Sequence, residues 1–336
     1  MTVELSLGCK RYPWIEPLQD GLVEPTGIDL TVVDGHLSPD YYTRLLDDRE
    51  FDLAELSIGA YFATFYNADQ YDVTALPVFP NRRFRHSLVY TREGSAIQTP
   101  TDLEGKAVGM PMWLDASAIW MRGILQERYG LDLRSVDWRT FGSEVVPMDI
   151  ADEFDISYIS NTERDDAATR IKTGTIATLE RKLTSGELDA VISPVEFSGD
   201  EVERLFDDAW AREREYYTET GIFPIIHVVA IRDEVLEAHP WVAEELYQAF
   251  VAAGDRYQER IKQREAFKFS PYVWGHQFIE EQLSMFDGNP WSHGLTEGNR
   301  KTMRKAVEYA ADHDVAPREL DLDDLFLDVG PNWAPE

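Results

Sequence analysis

Segment 81–87 contains the residues of this chain whose types and spacing are best suited to bind an anion. It reads Asn-Arg-Arg-Phe-Arg-His-Ser and lies between two apolar runs. Guanidinium groups match carboxylates with two parallel hydrogen bonds, so Arg82 and Arg85 are candidates for holding a negatively charged ligand. The alternative is a solvated loop, because most surface arginines only face water. Arg122 in the run 120–122 and His227 in an apolar stretch favour the binding interpretation.

Acid–base chemistry could come from His227, His86 and Glu55. Histidine titrates near neutral pH and can exchange protons there. An uncharged core histidine is the alternative for His227, which lies in the apolar run 225–229. Glu55 ends another apolar run, where it could accept a proton or bind backbone amides at the start of a helix. His86 follows Arg85 directly, so in a strand the two side chains would face opposite sides.

The composition excludes some classes of partner. The 336 residues include 62 Asp and Glu against 32 Lys and Arg, which gives a net charge of −30. Nucleic-acid binding needs a dense field of basic residues, so we expect no nucleic acid partner.

Lysine is scarce, with eight lysines against 24 arginines. This pattern resembles proteins of salt-loving organisms, and we expect the fold to weaken in dilute buffer. An ordinary acidic mesophilic protein is the alternative.

Further sequence features bear on location and on cofactors. Cys9 is the single cysteine, which excludes an internal disulfide and a cysteine metal cluster. Apolar and polar residues alternate at the start of the sequence as in a strand, and this pattern does not resemble a secretion signal. No apolar run approaches the ~18 residues that a membrane-spanning helix needs. We therefore expect a cytoplasmic protein without a membrane partner. The zinc-binding, P-loop and dinucleotide motifs are missing, so we predict no metal and no cofactor. A metal held by His86, His227 and Glu55 converging in space is the open alternative.

Strand-like and helix-like segments alternate along the chain, which predicts an α/β protein with largely parallel sheets. The predicted strands are 3–7, 28–33, 51–56, 73–78, 87–91, 136–141, 189–193 and 221–231, with another within 101–111. The predicted helices are 41–49, 57–66, 116–129, 176–185, 241–267, 276–285 and 297–313. Segment 141–168 has weak periodicity and dense charge, which indicates an irregular insertion with a short strand. The length suits two lobes, and without a linker we expect crossing strands to join them.

Several motifs resemble a known family. Segments 103–109 (LEGKAVG) and 183–192 (LTSGELDAVI) are similar to elements of type 2 periplasmic-binding-protein folds. Segments 77–87 (PVFPNRRFRHS), 120–125 (WMRGIL) and 216–227 (YYTETGIFPIIH) resemble 4,5-dihydroxyphthalate decarboxylases and their close relatives. The resemblance covers roughly residues 3–265. At 112–115 (MWLD) the chain departs from the pattern, and Asp115 beside a cleft would repel a dianionic substrate.

The resemblance implies two α/β lobes with a ligand in the cleft between them. Lobe one would comprise 1–92 and 222–336, and lobe two 93–221. It further implies non-oxidative decarboxylation of a hydroxylated aromatic carboxylate, without an organic cofactor. Such a reaction needs a residue that binds the carboxylate and another that gives a proton to the ring carbon. General acid–base catalysis supplies only part of the rate enhancement, so positioning and electrostatic stabilisation must supply the rest.

On this interpretation each candidate residue has a role. We assign the binding of the carboxylate to Arg85 and Arg122, with Arg82 in support. Ser57 can cap the free amides at the start of the predicted helix 57–66, and it is a further candidate anion ligand there. A helix-surface arginine paired with nearby acids is the alternative for Arg122. His227, His86 and Glu55 are the acid–base candidates. Aromatic walls for a flat ring could come from Trp113, Trp120, Tyr61 and Phe84, although such residues more often lie in a core than in a cleft.

Other functions stay open at this point. Relatives of the same fold dehydrate or cleave other cyclic carboxylates, and a lyase of that kind is one alternative. A solute-binding protein that delivers a small carboxylate to a transporter is another, and a sensor that binds without turnover is a third. The aromatic residues near the C-terminus, such as Tyr272 and Trp274, could cover a neighbouring copy in a homo-oligomer or the chain's own lobe.

Overall fold

Two β-sheets organise the chain, and each is covered by helices. The computed structural model describes residues 2–34, 38–141, 144–148, 154–159, 175–197, 199–263, 272–286, 289–318 and 320–330. The strands are β1 Val3–Gly8, β2 Ile28–Val33, β3 Leu53–Ser57, β4 Val73–Leu76, β5 Val89–Arg92, β6 Ala107–Gly109, β7 Asp137–Thr140, β8 Ile156–Tyr158, β9 Ala190–Ile192, β10 Val202–Arg204 and β11 His227–Arg232. The helices are α1 Glu16–Gln19, α2 Ser38–Leu46, α3 Ile58–Thr64, α4 Ala116–Tyr129, α5 Thr175–Ser185, α6 Ala209–Thr220, α7 Asp233–Ala238, α8 Val242–Lys262, α9 Gly275–Met285, α10 Glu297–Asp312 and α11 Leu322–Leu325.

The first sheet has the strand order β2-β1-β3-β11-β4. Strands β1, β2 and β3 run parallel, and β11 is antiparallel to both β3 and β4. Every residue of β3 is buried, because helices cover the sheet on both faces. Because β1 and β3 are parallel neighbours, their carboxyl ends lie at the same edge of the sheet. The first residue of the antiparallel β11 pairs with the last residue of β3 at this edge.

The second sheet has the strand order β10-β5-β9-β6-β7-β8. Strands β6, β7, β8 and β9 are parallel neighbours, whereas β5 is antiparallel to β9 and β10. The predicted α/β class is confirmed. The predicted insertion 141–168 falls mostly outside the described residues, and β8 is the described strand within it.

The sequence-based boundary after residue 92 places 87–91 with the first sheet. The structure instead begins a strand at Val89 and pairs it with the second sheet. The chain therefore passes from the first sheet to the second before Val89. It returns between α6 and β11.

Two crossing segments connect the sheets: the first precedes Val89, and the second lies between α6 and β11. They run beside each other. The backbone amide of Arg83 donates to the Pro224 carbonyl at 3.1 Å, and that of Ile226 donates to the Asn81 carbonyl at 2.8 Å. The expected long strand 221–231 is wrong in its first half, because only His227–Arg232 joins the sheet. The apolar residues just before His227 are buried where the chain crosses between the sheets. A buried crossing segment and a buried strand are both rich in apolar residues, so the sequence pattern does not distinguish them.

Helix ends follow local signals in the sequence. Ser57 caps α3 through its hydroxyl, which accepts from the Ala60 amide at 3.1 Å, as the sequence predicts. Asp115 caps α4 in the same way, by accepting from Ser117 and Ala118. Helix α4 ends at Gly130, whose φ of 74° is a conformation that favours glycine. Ser57 and Asp115 thus fix where α3 and α4 begin, and Gly130 fixes where α4 ends.

Candidate active site

Glu55 and His227 form a buried pair where β3 meets β11. In the antiparallel register Val229 lies opposite Glu55, so His227 is the diagonal neighbour of Glu55 on the same face of the sheet. The His227 Nδ1 atom is hydrogen-bonded to Glu55 Oε1. The Glu55 side chain is fully buried, and that of His227 is 8% exposed. A carboxylate bound to one imidazole nitrogen fixes the ring and leaves the other nitrogen for proton exchange.

The Glu55 carboxylate is held by several donors. Its Oε1 atom accepts from the Tyr12 hydroxyl at 2.5 Å, and its Oε2 atom accepts from the Lys10 amide at 2.9 Å and the Cys9 thiol at 3.6 Å. Burial acts to raise the pKa of Glu55, but the charge of His227 and these hydrogen bonds outweigh it and lower the pKa to about 2. Glu55 is therefore ionised, accepts from His227 Nδ1, and orients the ring.

Two further side chains, from different elements, lie close to the nitrogen atoms of the His227 ring. The Tyr42 hydroxyl, on α2, lies 3.3 Å from His227 Nε2. The Asn81 side chain, on the first crossing segment, lies 3.3 Å from Nδ1. With Nδ1 committed to Glu55, Nε2 is the nitrogen that can exchange a proton with a bound molecule.

Arg85 supplies a buried positive charge at the crossing. It is 3% exposed, and its Nη1 donates to the Pro194 carbonyl at 3.2 Å. Burial lowers the pKa of the Arg85 guanidinium to about 10, and electrostatic interactions, chiefly with Asp115, partly oppose that effect. Among the described residues, its Nε has no hydrogen-bond partner. A buried guanidinium with an unused donor is suited to bind an anion.

Two other predicted anion ligands lie nearby but are occupied. The Ser57 hydroxyl faces the Ala60 amide as the α3 cap, although Ser57 pairs with His227 across the strands. Arg82 donates to the Ser292 carbonyl at 2.8 Å and to Asn299 Oδ1 at 2.7 Å. Arg82 therefore binds the segment before α10 and α10 itself, although its Nε, like that of Arg85, has no hydrogen-bond partner among the described residues.

Arg122 and Trp113 pack against each other, and neither has a described contact with Glu55 or His227. The Arg122 guanidinium lies 3.7 Å from the centre of the Trp113 ring, and its Nη2 donates to the Trp113 carbonyl at 2.9 Å. The Trp113 indole donates to the His313 carbonyl at 2.7 Å. Both side chains are fully buried, so their contacts support a structural role and give no support to the predicted ligand contacts.

The remaining aromatic candidates also pack in the interior or at its edge. Trp120 is fully buried and donates to the Ile225 carbonyl at 2.8 Å, which ties α4 to the second crossing segment. Tyr61 is fully buried and donates to the Leu325 carbonyl at 2.5 Å. Phe84 packs against Phe223, with ring centres 4.8 Å apart. None of these three residues has a described contact with His227.

His86 lies apart from the Glu55–His227 pair. Its ring is surrounded by Phe206, Tyr216 and Tyr129, at centre distances of 5.4, 5.8 and 6.3 Å. Burial, with the charges of two nearby arginines, lowers the pKa of His86 to about 4, so its ring is neutral near pH 7. Of the adjacent residues Arg85 and His86, Arg85 is the one that lies near Tyr12.

Sequence reasoning did not identify Tyr12, Tyr42 or Asn81. Their relation to His227 depends on strand order, because Tyr12 follows β1 and β1 neighbours β3 in the sheet. The signal that could have found Tyr12 is the rule that ligands bind beyond the carboxyl ends of parallel strands. In the described part of the chain, no group of three or more His, Cys, Asp or Glu residues is placed to hold a metal ion.

Comparisons with known proteins identify relatives of this chain. A 4,5-dihydroxyphthalate decarboxylase of Comamonas testosteroni is 29% identical over 332 residues, which cover 95% of this chain and 96% of the relative. A 4,5-dihydroxyphthalate decarboxylase of Pseudomonas putida is 31% identical over 199 residues, or 57% of this chain and 70% of the relative. No family model matches the chain.

Solved structures show the fold. The periplasmic aliphatic sulphonate binding protein of Escherichia coli aligns over 97% of this chain and 98% of its own, with a TM-score of 0.56 and 13% identity. The alkanesulfonate-binding protein of Xanthomonas axonopodis pv. citri, bound to MOPS, gives a TM-score of 0.54 at 13% identity over 98% of this chain and 99% of its own. The expected periplasmic-binding-protein-like fold is confirmed. With the sequence relatives, it follows that the chain belongs to the 4,5-dihydroxyphthalate decarboxylase family.

Proposed function

We propose that this protein is a carboxy-lyase that removes CO2 without oxidation from a hydroxylated aromatic carboxylate such as 4,5-dihydroxyphthalate. The observation that carries the proposal is the buried Glu55–His227 pair, whose partner Tyr12 interacts electrostatically with the buried Arg85 guanidinium. The pair supplies an oriented proton donor, and Arg85 supplies a cation for a carboxylate. Family membership supports the reaction class.

In the proposed reaction His227 donates the proton from Nε2 to the ring carbon that carries the leaving carboxylate. A hydroxyl group para to that carbon pushes electron density toward it. The bond between the ring and the carboxylate then breaks, its electron pair restores the aromatic ring, and CO2 leaves. His227 recovers a proton from water, so one proton is taken up for each CO2 released.

Each described residue has a separate task in this scheme. Glu55 holds the His227 ring and stabilises the imidazolium that carries the proton. Arg85 binds a carboxylate of the substrate, which places the reacting carbon near Nε2. With 4,5-dihydroxyphthalate, the second carboxylate remains on the ring and is the group that Arg85 would hold.

The decisive experiment is a turnover assay with 4,5-dihydroxyphthalate in buffers from low to molar salt. We expect CO2 and 3,4-dihydroxybenzoate in equal amounts from the wild type. A His227→Gln variant should lose roughly 10²- to 10⁴-fold in kcat, which is the usual contribution of an acid–base group. The matched control is His276→Gln, because His276 is exposed on α9 and should not affect turnover.

A folded His227→Gln variant with wild-type kcat would contradict the assignment of the proton donor. Tight binding of the dihydroxyphthalate without any CO2 would instead select the second candidate, a protein that binds a small carboxylate without turnover. The likeness of the fold to solute-binding proteins is the observation that keeps this candidate open.

We further propose that the protein works at high salt concentration, as its net charge of −30 and scarcity of lysine suggest. No described helix is both long and apolar enough to cross a membrane. Cytoplasmic location, independence of a cofactor, the two-lobe division and a homo-oligomeric state stay predictions. Exposed aromatic residues such as Trp210, Tyr272 and Trp274 give the oligomer prediction a physical basis.

A further inference from the structure

Tyr12 lies between β1 and α1, and its ring is fixed by stacking. Its ring centre is 5.4 Å from that of Trp14 at an interplanar angle of 21°. Trp14 in turn stacks on Trp291 at 3.8 Å and 12°. This column of three rings holds the Tyr12 hydroxyl against Glu55 Oε1, at 2.5 Å.

The same oxygen atom of Glu55 serves two donors. Oε1 accepts from the Tyr12 hydroxyl and from His227 Nδ1, whereas Oε2 accepts from Lys10 and Cys9. Each donor withdraws part of the negative charge that the oxygen presents to the other. The strength of the Tyr12 hydrogen bond therefore affects how well Glu55 stabilises a proton on His227.

The groups that face the pair come from three elements. Cys9, Lys10 and Tyr12 follow β1, Tyr42 belongs to α2, and Arg85 on the crossing segment acts electrostatically on Tyr12. Burial, followed by the negative charge of Glu55, raises the pKa of Tyr12 well above its ordinary value, and it does the same for the Cys9 thiol. Both groups stay protonated near neutral pH, so Tyr12 can only donate to the carboxylate.

We propose that Tyr12 is a positioning residue that makes His227 a stronger acid by sharing Oε1 of Glu55. This inference rests on the proposed function, in which His227 must release its proton to the ring carbon. Without the hydroxyl, the full charge of Oε1 would act on the imidazolium, which would then keep its proton to higher pH. Tyr12 thus tunes the acid through Glu55, without itself contacting the substrate.

The test is an NMR titration of the free protein with isotope-labelled histidine. The His227 signals are assigned by their loss in His227→Gln. We expect the midpoint of the His227 titration to rise by about one pH unit in Tyr12→Phe, since hydrogen bonds to charged groups contribute ~1.5–3 kcal/mol and one unit is about 1.4 kcal/mol. Glu55→Gln should lower the midpoint, because it removes the negative charge.

A matched control removes a tyrosine hydroxyl elsewhere. Tyr66 donates to the Ala316 carbonyl at 2.7 Å and has no described contact with Glu55 or His227, so Tyr66→Phe should leave the midpoint unchanged. A second variant keeps the shape of Tyr12 and changes only its acidity. A fluorinated tyrosine at position 12 is a stronger donor and should move the midpoint to lower pH.

An unchanged or lowered midpoint in folded Tyr12→Phe would overturn the inference, and so would a fluorotyrosine variant that moves in the same direction as Tyr12→Phe. In turnover assays, Tyr12→Phe should lower kcat, leave KM nearly constant and move the alkaline limb of the kcat profile to higher pH. The NMR titration needs no substrate. A shift in the midpoint without any turnover by the wild type would therefore refute the function and leave the inference intact.

Discussion

At the scale of single residues, three neighbouring arginines in one segment have different surroundings. Arg82 is buried and donates to Ser292 and Asn299, whereas Arg83 is 42% exposed in its side chain and pairs with Glu196 at 2.6 Å. Arg85 is buried and donates to the Pro194 carbonyl, and among the described residues its Nε and that of Arg82 both lack a hydrogen-bond partner. Arg85 interacts electrostatically with Tyr12, whose hydroxyl binds Glu55, and this position, which sequence spacing does not reveal, makes Arg85 the candidate for substrate binding.

We expect Arg85→Ala to lower kcat/KM for 4,5-dihydroxyphthalate by about 10- to 100-fold, because charge-assisted hydrogen bonds contribute ~1.5–3 kcal/mol. Arg85→Lys should recover only part of this loss, since an ammonium group cannot form two parallel bonds. Steady-state kinetics measure both. The matched control is Arg83→Ala, which should behave as the wild type, and equal losses in both alanine variants would contradict the assignment.

The sequence could identify Glu55 and His227 as acid–base candidates, because each is a polar residue in an apolar run. It could not separate His227, in an apolar run, from His86, beside the arginines of segment 81–87, since either position is compatible with an acid–base role. Only the pairing of β3 with β11 shows which histidine faces a carboxylate. Trp113 and Trp120 illustrate the same difficulty, because core and cleft aromatics have the same hydrophobic pattern.

At the scale of elements, local signals predicted more than long-range ones. The predicted strand 28–33 matches Ile28–Val33, and the Ser57 cap of α3 is confirmed. Alternation and capping are local properties, so the sequence reveals them. The membership of β5 in the second sheet depends on pairing with β9 and β10, which lie about a hundred residues later in the chain.

Helix α3 approaches the loop before α4 so closely that only glycine fits at position 59. A Cβ atom there would lie 1.8 Å from the Leu114 carbonyl oxygen. We expect Gly59→Ala to lower the free energy of unfolding by about 3 kcal/mol, because backbone must move to relieve the overlap. Urea denaturation measures the change.

Gly254 provides the control for this element-scale prediction. It lies within α8, and a Cβ atom there would meet no heavy atom within 4 Å among the described residues. Gly254→Ala should therefore be neutral or stabilise the protein by up to about 1 kcal/mol through helix propensity. A Gly59→Ala variant as stable as Gly254→Ala would show that α3 does not pack against Leu114.

At the scale of the whole molecule, the net charge of −30 is the dominant property. Repulsion among carboxylates favours the expanded chain, and salt weakens that repulsion. The screening distance falls from about 30 Å at 0.01 M salt to about 3 Å at 1 M. We therefore expect the midpoint of thermal unfolding to rise steeply with KCl below 1 M and more slowly above it.

Differential scanning calorimetry in KCl and in NaCl measures this dependence. Screening depends on ionic strength, so the two salts should give the same curve up to 1 M. A midpoint that does not change between 0.01 and 1 M would refute the prediction that charge repulsion limits stability. It would also remove the physical basis for the proposal that the protein works at high salt.

The contacts of Trp291 and Phe326 have a consequence for synthesis on the ribosome. Trp291 stacks on Trp14, and Phe326 forms a bridge with Ala75 in the first sheet. The emerging polypeptide thus contains Trp14 and Ala75 long before it contains the residues that pack on them. Nascent chains released near residue 285 should consequently expose the Trp14 face to chaperones, and catalytic competence should appear only after Trp291 and Phe326 have been synthesised.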